Sequence, residues 1–388
     1  MLTAKIQQLS HFIQREPVLS VSIMLALLSM LWVKPDEAYA TYIDFRTLGI
    51  LLCLMLVVAG LQKLGIFDMF AEKVLQKAKT TTDIVVLLVA LCFFSSMLIT
   101  NDVALITFVP FTIVIMHKMP KPVRDYWLLK AVAMQTIAAN LGSMLTPVGN
   151  PQNLYLYSKA GVSISSMLRL MLPYSAAALV LLFIWIGFAA GKAPKADLSV
   201  SLSVADSSCL KIKAADKPYF FAYILLFSFS LLCVSRVLSF QALLLVVLVY
   251  VLVCDPQVLK KADYSLLATF AALFIFIGNL ARVPEFSLLL KHLLIGHETI
   301  TAVIASQFMS NVPAAILLSE FTGNYKALLV GTNLGGLGTM IASMASLISF
   351  KYITQENSTL CGKYIGVFTA SNLLFLTALL LLSHVLSM

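Results

Sequence analysis

Two short polar knots stand inside otherwise apolar text. Thr100-Asn101-Asp102 interrupts the stretch 84–116, and Ser310-Asn311-Val312, followed by Pro313, interrupts 299–320. After each knot comes a second stretch built to break a helix. Asn140, Gly142, Ser143, Thr146, Pro147, Gly149, Asn150, Pro151 and Asn153 lie within 127–158, and the run from Ala131 to Ser158 has no formal charge. In 326–350, Gly331, Gly335, Gly336 and Gly338 put four of the chain's 17 glycines within eight residues, flanked by Asn333, Thr339 and Ser343. Interrupted helices at membrane depth expose unpaired N–H groups and partial positive charge at their N-termini, which suits oxyanions. Freed carbonyls, with Asn, Ser and Thr oxygens, suit a small cation such as Na⁺, here near Thr100, Asn101 and Asp102 and near Ser310 and Asn311. Asp102 is the only acidic residue expected deep in the membrane. It reads either as a proton or cation site that alternates with transport, or as the N-cap of the half-helix that follows. Pro147, Gly149 and Pro151 read as shapers of the backbone.

These knots need a membrane around them, and the composition supplies it. Of 388 residues, 60% are apolar and 12% charged, and the mean hydropathy is +0.94. A soluble domain is nearer 45–50% apolar and about 25% charged. The composition therefore excludes a soluble enzyme, a nucleic-acid binder, a disordered chain and a coiled coil. The net charge of +9 reads as membrane topology. An intramembrane enzyme would need clustered carboxylates or a Ser/His or His/Glu constellation, and no Walker-type loop is present to use ATP. No cofactor is called for. The cysteines show no zinc or disulfide spacing. Val18 to Val33 is apolar after a basic start, and Ala38-Tyr39-Ala40 mimics a cleavage site. The charges of Lys34, Asp36 and Glu37 between them favour a retained helix.

Apolar stretches near 18–33, 46–61, 84–116, 127–158, 164–190, 219–235, 239–254, 264–280, 299–320, 326–350 and 364–386 give an all-α polytopic membrane protein. Stretches 84–116 and 299–320 read as re-entrant helical hairpins, and 127–158 and 326–350 as broken transmembrane helices. Segments 62–80 and 281–298, mixing apolar and basic residues, read as interfacial helices leading into the hairpins. With the N-terminus in the cytoplasm and the C-terminus outside, 19 of the 27 Lys and Arg residues fall on the cytoplasmic side. The chain then divides into a first repeat, 1–190, a cytoplasmic linker, 191–218, and a second repeat, 219–388.

The halves echo each other. With Asn101 set against Asn311, Ser96 meets Ser306 and Thr100 meets Ser310. Further on, Asn140-Leu141-Gly142 matches Asn333-Leu334-Gly335, Asn150 falls opposite Ser343 and Asn153 opposite Ser346. Five crossings separate the hairpins, so the repeat is inverted, the arrangement of secondary transporters that bind at the midplane.

Leu98-Ile99-Thr100-Asn101-Asp102-Val103-Ala104-Leu105, Leu145-Thr146-Pro147-Val148-Gly149-Asn150-Pro151-Gln152-Asn153, Ser306-Gln307-Phe308-Met309-Ser310-Asn311-Val312-Pro313 and Asn333-Leu334-Gly335-Gly336 resemble the ion transporter superfamily. That group holds citrate and dicarboxylate permeases, arsenite permeases and one class of Na⁺/H⁺ antiporters. Within it the likeness is greatest to the YbiR-like bacterial inner-membrane permeases. The resemblance implies a scaffold, a mobile transport domain, elevator-type alternating access and often a homodimer. Dicarboxylate permeases carry Ser-Asn-Thr at each hairpin tip. Here the final Thr is replaced by Asp102 and Val312, and the Asn-Asp pair looks like the arsenite-permease pattern. The expected function is secondary active transport of a small anion or weak oxyacid, coupled to Na⁺ or H⁺, in the inner membrane. The alternatives are a passive anion channel and a cation/proton antiporter.

Overall fold

The computed structural model describes residues 16–194 and 216–387. Most of the expected 191–218 linker and the basic residues at the start of the chain lie outside this range. The described residues form helices and connecting turns, with no strand. In order these are α1 (Pro17–Ser29), the single turn α2 (Tyr39–Tyr42), α3 (Phe45–Lys63), α4 (Ile66–Leu75), α5 (Thr81–Ile99), α6 (Asn101–His117), α7 (Lys121–Ser143), α8 (Pro151–Ala160) and α9 (Ile164–Ala190). After the linker come α10 (Lys217–Val234), α11 (Phe240–Cys254), α12 (Tyr264–Ala281), α13 (Pro284–Leu294), α14 (Glu298–Met309), α15 (Asn311–Ser319), α16 (Tyr325–Leu334), α17 (Met344–Glu356) and α18 (Cys361–Ser387).

Short polar residues start these helices by occupying the orphan N–H groups of the first turn. Asp44 caps α3, Ser163 caps α9, Ser239 caps α11, Asp263 caps α12 and Asn324 caps α16. Thr80 and Asp83 close a reciprocal capping box at the head of α5. Among the described residues six helices, α3, α5, α9, α10, α12 and α18, are long and apolar enough to cross a bilayer. The chain is thus a multi-pass membrane protein. Helix α13 meets α14 at a bend of 116°.

Packing sorts the helices into two groups. In one, α1 lies along α12, while α10 and α11 lie along α3. In the other, α7 runs between both hairpin arms α5 and α6 and also touches α9, α17 and α18, while α14 and α15 pack on α16. The groups meet mainly where α12 touches α15 and α3 touches α8. The first group carries its own half-buried ion pair. Lys63 Nζ lies 2.7 Å from Asp255 Oδ1, and the Tyr223 hydroxyl donates to Asp255 Oδ2 at 3.1 Å. Asp255 is buried, so loss of its cation leaves a covered carboxylate with one neutral donor. Lys63→Met is therefore expected to destabilise the protein by ~1–3 kcal/mol, read as a lower thermal midpoint in detergent.

Candidate functional site

Each polar knot breaks a helix in two. Thr100 separates α5 from α6 with φ 70° and ψ 152°, and Ser310 separates α14 from α15 with φ 72° and ψ 155°. This region of backbone space is nearly reserved for glycine, and a side chain there costs roughly 1–3 kcal/mol. The strain is held by the surroundings in the same way twice. The Asn101 N–H donates to Gly149 O at 3.1 Å, and the Asn311 N–H donates to Ala342 O at 3.0 Å. Each hairpin tip is thereby stitched to the break of the neighbouring broken helix.

The first knot turns a true hairpin. The Gln135 amide on α7 reaches both Leu88 O and Phe108 O, at 3.5 Å each. Residues twenty apart along a continuous helix would stand about 30 Å apart, so α5 and α6 fold back beside each other. The arms of the two hairpins differ. Helices α5 and α6 have 19 and 17 residues, whereas α14 and α15 have 12 and 9. At about 1.5 Å per residue neither arm of the second pair can span a bilayer of about 30 Å alone, while each arm of the first nearly can.

The broken helices follow the same plan. Helix α7 ends at Ser143 and α8 starts at Pro151; α16 ends at Leu334 and α17 starts at Met344. The caps that restart them, Asn150 and Ser343, share an extended backbone, with φ −145° and −139°. The Thr146 hydroxyl donates to Met97 O, and the Thr339 hydroxyl donates to Gln307 O at 3.2 Å. Gly142 and Gly335 are close-approach positions: a Cβ on Gly142 would lie 2.1 Å from Phe93 O, and one on Gly335 would lie 2.6 Å from Ser306 Oγ. Pro147 and Gly149 sit in the buried turn 144–150, and a Cβ on Gly149 would meet Ser143 O at 2.1 Å.

Between the halves the polar contacts are reciprocal. Asn140 Oδ1 accepts from Ser343 Oγ at 3.0 Å and from Asn101 Nδ2 at 2.9 Å, and its own amide donates to Gly336 O at 3.4 Å. Asn333 Nδ2 donates to Asn153 Oδ1 at 2.6 Å, and Asn333 Oδ1 accepts from Asn150 Nδ2 at 3.4 Å. Each helix Asn therefore touches the cap of the other half's broken helix. Asn153 also donates to Ser143 O and Thr146 O, at 3.2 Å each, and so occupies carbonyls that the break sets free.

All four breaks open onto one cavity. It is lined by Asn101 and Asp102 at the start of α6, Pro151 and Gln152 at the start of α8, Asn311 and Val312 at the start of α15, and Ser343 and Met344 at the start of α17. Leu266 closes it from α12. Its volume is about 10 Å³, the space of about one water. Each N-terminus carries roughly +0.5 of an elementary charge, so four together approach about +2. Three polar atoms around it are buried without a partner: Asp102 Oδ1, Gln152 Nε2 and Asn150 Oδ1. Asp102 does not cap α6. That position belongs to Thr100, whose Oγ1 accepts from the Val103 N–H at 3.5 Å, while Asn101 Oδ1 takes the Asp102 N–H at 2.9 Å. The Asp102 carboxyl is thus left to the cavity.

Of the expected site residues, Asn101, Asp102, Asn311, Val312 and Ser343 line the cavity. Asn140, Asn150, Asn153, Asn333 and Gly336 form the network behind it, and Thr100 and Ser310 set the turns. Gly142, Gly335 and Thr146 serve packing and bracing. Thr339 is exposed and, like Gly338, lies against Gln307. Sequence reasoning missed Gln152, Leu266 and Met344 in the lining and Gln307 as a brace. The Gln307 amide holds Gly335 O and Leu337 O at 2.9 Å each. Among the described residues no three of His, Cys, Asp or Glu gather to hold a metal ion.

Apolar spans, paired interruptions and a cavity at the meeting of four helix ends define a membrane transporter. The model of the citrate transporter family matches residues 12–324, and the chain belongs to that family. It is 33% identical over 339 residues to an uncharacterized transporter of Methanocaldococcus jannaschii, covering 86% of this chain and 87% of that one. It is 30% identical over 324 residues to the inner membrane protein YbiR of Escherichia coli, covering 81% and 82%. A shorter match, 29% identical over 141 residues, covers 36% of this chain and 28% of the silicon efflux transporter LSI3 of Oryza sativa.

Proposed function

We propose that this protein is a secondary active transporter of a small anion or weak oxyacid, coupled to Na⁺ or H⁺, in the bacterial-type inner membrane. The observation that carries the reading is the convergence of four half-helix N-termini on one buried cavity. Their summed dipoles favour an anion or the oxygens of an oxyacid, without the full desolvation cost of buried Lys or Arg. Asp102 supplies the one formal charge. A carboxylate facing an anion there needs a proton or Na⁺ between them, which ties the movement of the two together. Candidate Na⁺ ligands are Thr100, Asn101 and Asp102 at one tip and Ser310 and Asn311 at the other. The nearby carbonyls Gly149 O and Ala342 O already accept from the tip N–H groups, so the side-chain oxygens would carry most of that binding.

The paired contacts of the two halves support an inverted repeat, 1–190 and 219–388. The sparse contact between the two helix groups supports an elevator: α5–α9 and α14–α18 move as a body against α1, α3 and α10–α12. A cavity of about 10 Å³ fits an occluded state, which must open to either side for transport. We place the N-terminus in the cytoplasm, the C-terminus outside, and two copies in the working unit. Flux into proteoliposomes of citrate, succinate, sulfate and arsenite, under imposed Na⁺ or proton gradients, tests the reading. One of these solutes is expected to accumulate against its own gradient. Flux that only dissipates a gradient would make the protein a channel and overturn the proposal.

A further inference from the structure

Helices α8 and α10 belong to different groups and touch at their C-terminal ends. Helix α8 stops in the ordinary way, on Gly161 with φ 66°. Helix α10 stops on a Schellman turn, in which the Val237 N–H donates to Leu232 O and the Arg236 N–H to Cys233 O, at 3.0 Å each. The pivot of such a turn needs a left-handed backbone and is usually Gly, sometimes Asn. Here it is Arg236, with φ 64°. Glycine would make the turn more easily, so the turn alone does not account for an arginine.

The Arg236 side chain crosses to the other group. Its Nη1 donates to Gly161 O at 3.0 Å, and its Nη2 donates to Tyr157 O at 3.3 Å and to Ser158 O at 3.4 Å. The guanidinium carbon stands 5.3 Å from the centre of the Tyr157 ring. Arg236 thus occupies carbonyls at the end of α8, where the helix dipole is negative. Beside it the Tyr157 hydroxyl donates to Val234 O at 3.2 Å, and both residues are buried. Elsewhere between the groups, the Gln62 amide on α3 reaches Thr107 Oγ1 on α6 at 3.4 Å.

Resting on the reading of the two groups as a scaffold and a moving body, we propose that Arg236 is a positioning residue for transport. It is a releasable clamp that docks the C-terminus of α8 on the α10–α11 turn and holds the body in the conformation described here. The body cannot travel along the scaffold until these bonds break. Arg236 is exposed, so water takes the place of each bond at little net cost, and the grip can open and close in every cycle. The planar fork of an arginine reaches several carbonyls at once, which the single ammonium of a lysine does less well.

Spin labels at Ser165→Cys on α9 and at Lys34→Cys between α1 and α2 report the distance from body to scaffold. Both positions are exposed. The full-length protein is used, with its native cysteines replaced and labelled chains diluted among unlabelled ones. Arg236→Gly keeps the left-handed turn and deletes the clamp. It is expected to lower the share of the docked distance, relative to all others, by at least about threefold, with little change in the thermal midpoint. Arg236→Lys should give a smaller shift in the same direction, and it tests the clamp even if the Gly variant does not fold. A second distance in wild type whose share neither substitution raises would overturn the clamp and leave the moving body intact. One and the same single distance in wild type and both variants would overturn both.

Discussion

Asp102→Asn is expected to lower gradient-driven flux about a hundredfold, ~2.7 kcal/mol of lost coupling, and to leave the thermal midpoint within about a degree of wild type. The substitution is nearly isosteric, and the contacts that hold the tip do not use the Asp102 side chain. Thr100 caps α6, the Asn101 N–H holds Gly149 O, and the Asn101 amide holds Asn140. What changes is the only formal charge at the cavity, whose Oδ1 is buried without a partner. An amide there can neither take up a proton nor balance Na⁺, so solute movement should lose its dependence on the ion gradient. Parallel flux measurements under proton and sodium gradients identify the ion, since the response to one of them should vanish. Unchanged gradient-driven flux would remove Asp102 from the coupling mechanism.

Gly142→Ala should be severely damaging for a single added methyl. Its Cβ would lie 2.1 Å from Phe93 O and 2.8 Å from Phe93 C, both backbone atoms of α5, so no side chain can rotate away. Helix α5 would have to back off from α7, and overpacking of this kind costs about 1–3 kcal/mol or more. Because α5 ends at the strained turn of Thr100, the displacement carries the tip away from Gly149. Loss of thermal stability and of transport should therefore appear together. Gly187→Ala is the matched control: nothing stands within 4 Å of that Cβ, and a mid-helix Ala replaces Gly at a gain of up to about 1 kcal/mol. Equal behaviour of the two variants would contradict the tight α5–α7 contact.

Much of this architecture is legible because polarity is scarce in such a chain. In a stretch as apolar as 84–116, Thr100-Asn101-Asp102 has no soluble-domain explanation, and the break falls at Thr100. Ser310 behaves alike, and the alignment that pairs Gly142 with Gly335 and Asn150 with Ser343 pairs residues in equivalent contacts. What the sequence hides is direction. Gln152 sits in the quoted break motif, yet spacing alone cannot say that it points into the cavity while Asn153 turns back to Ser143 O. Thr339 matches Thr146 and reads as a binding group in both registers, but the contact it makes is a brace outside the cavity. The reciprocal crossing of Asn140 to Ser343 and Asn333 to Asn150 is a property of how the halves interlock, and no one-dimensional pattern encodes it. The unequal hairpin arms follow from the placement of polar residues around each knot. Glu298 and Glu320 bound the second hairpin closely, whereas α5 and α6 run without a charge from Val85 to Ile99 and from Val103 to Met116.

The most direct measurement places a thiol in the lining. Val312→Cys, in a background with the native cysteines replaced, puts a reporter at the start of α15 beside Asn311. A maleimide should label it slowly, because Val312 is buried and must wait for the cavity to open. A transported solute, added with its coupling ion, should slow that labelling at concentrations that match its transport. Labelling that the transported solute leaves unchanged, in a variant that still transports, would mean that the solute binds elsewhere and that the four helix ends do not hold it.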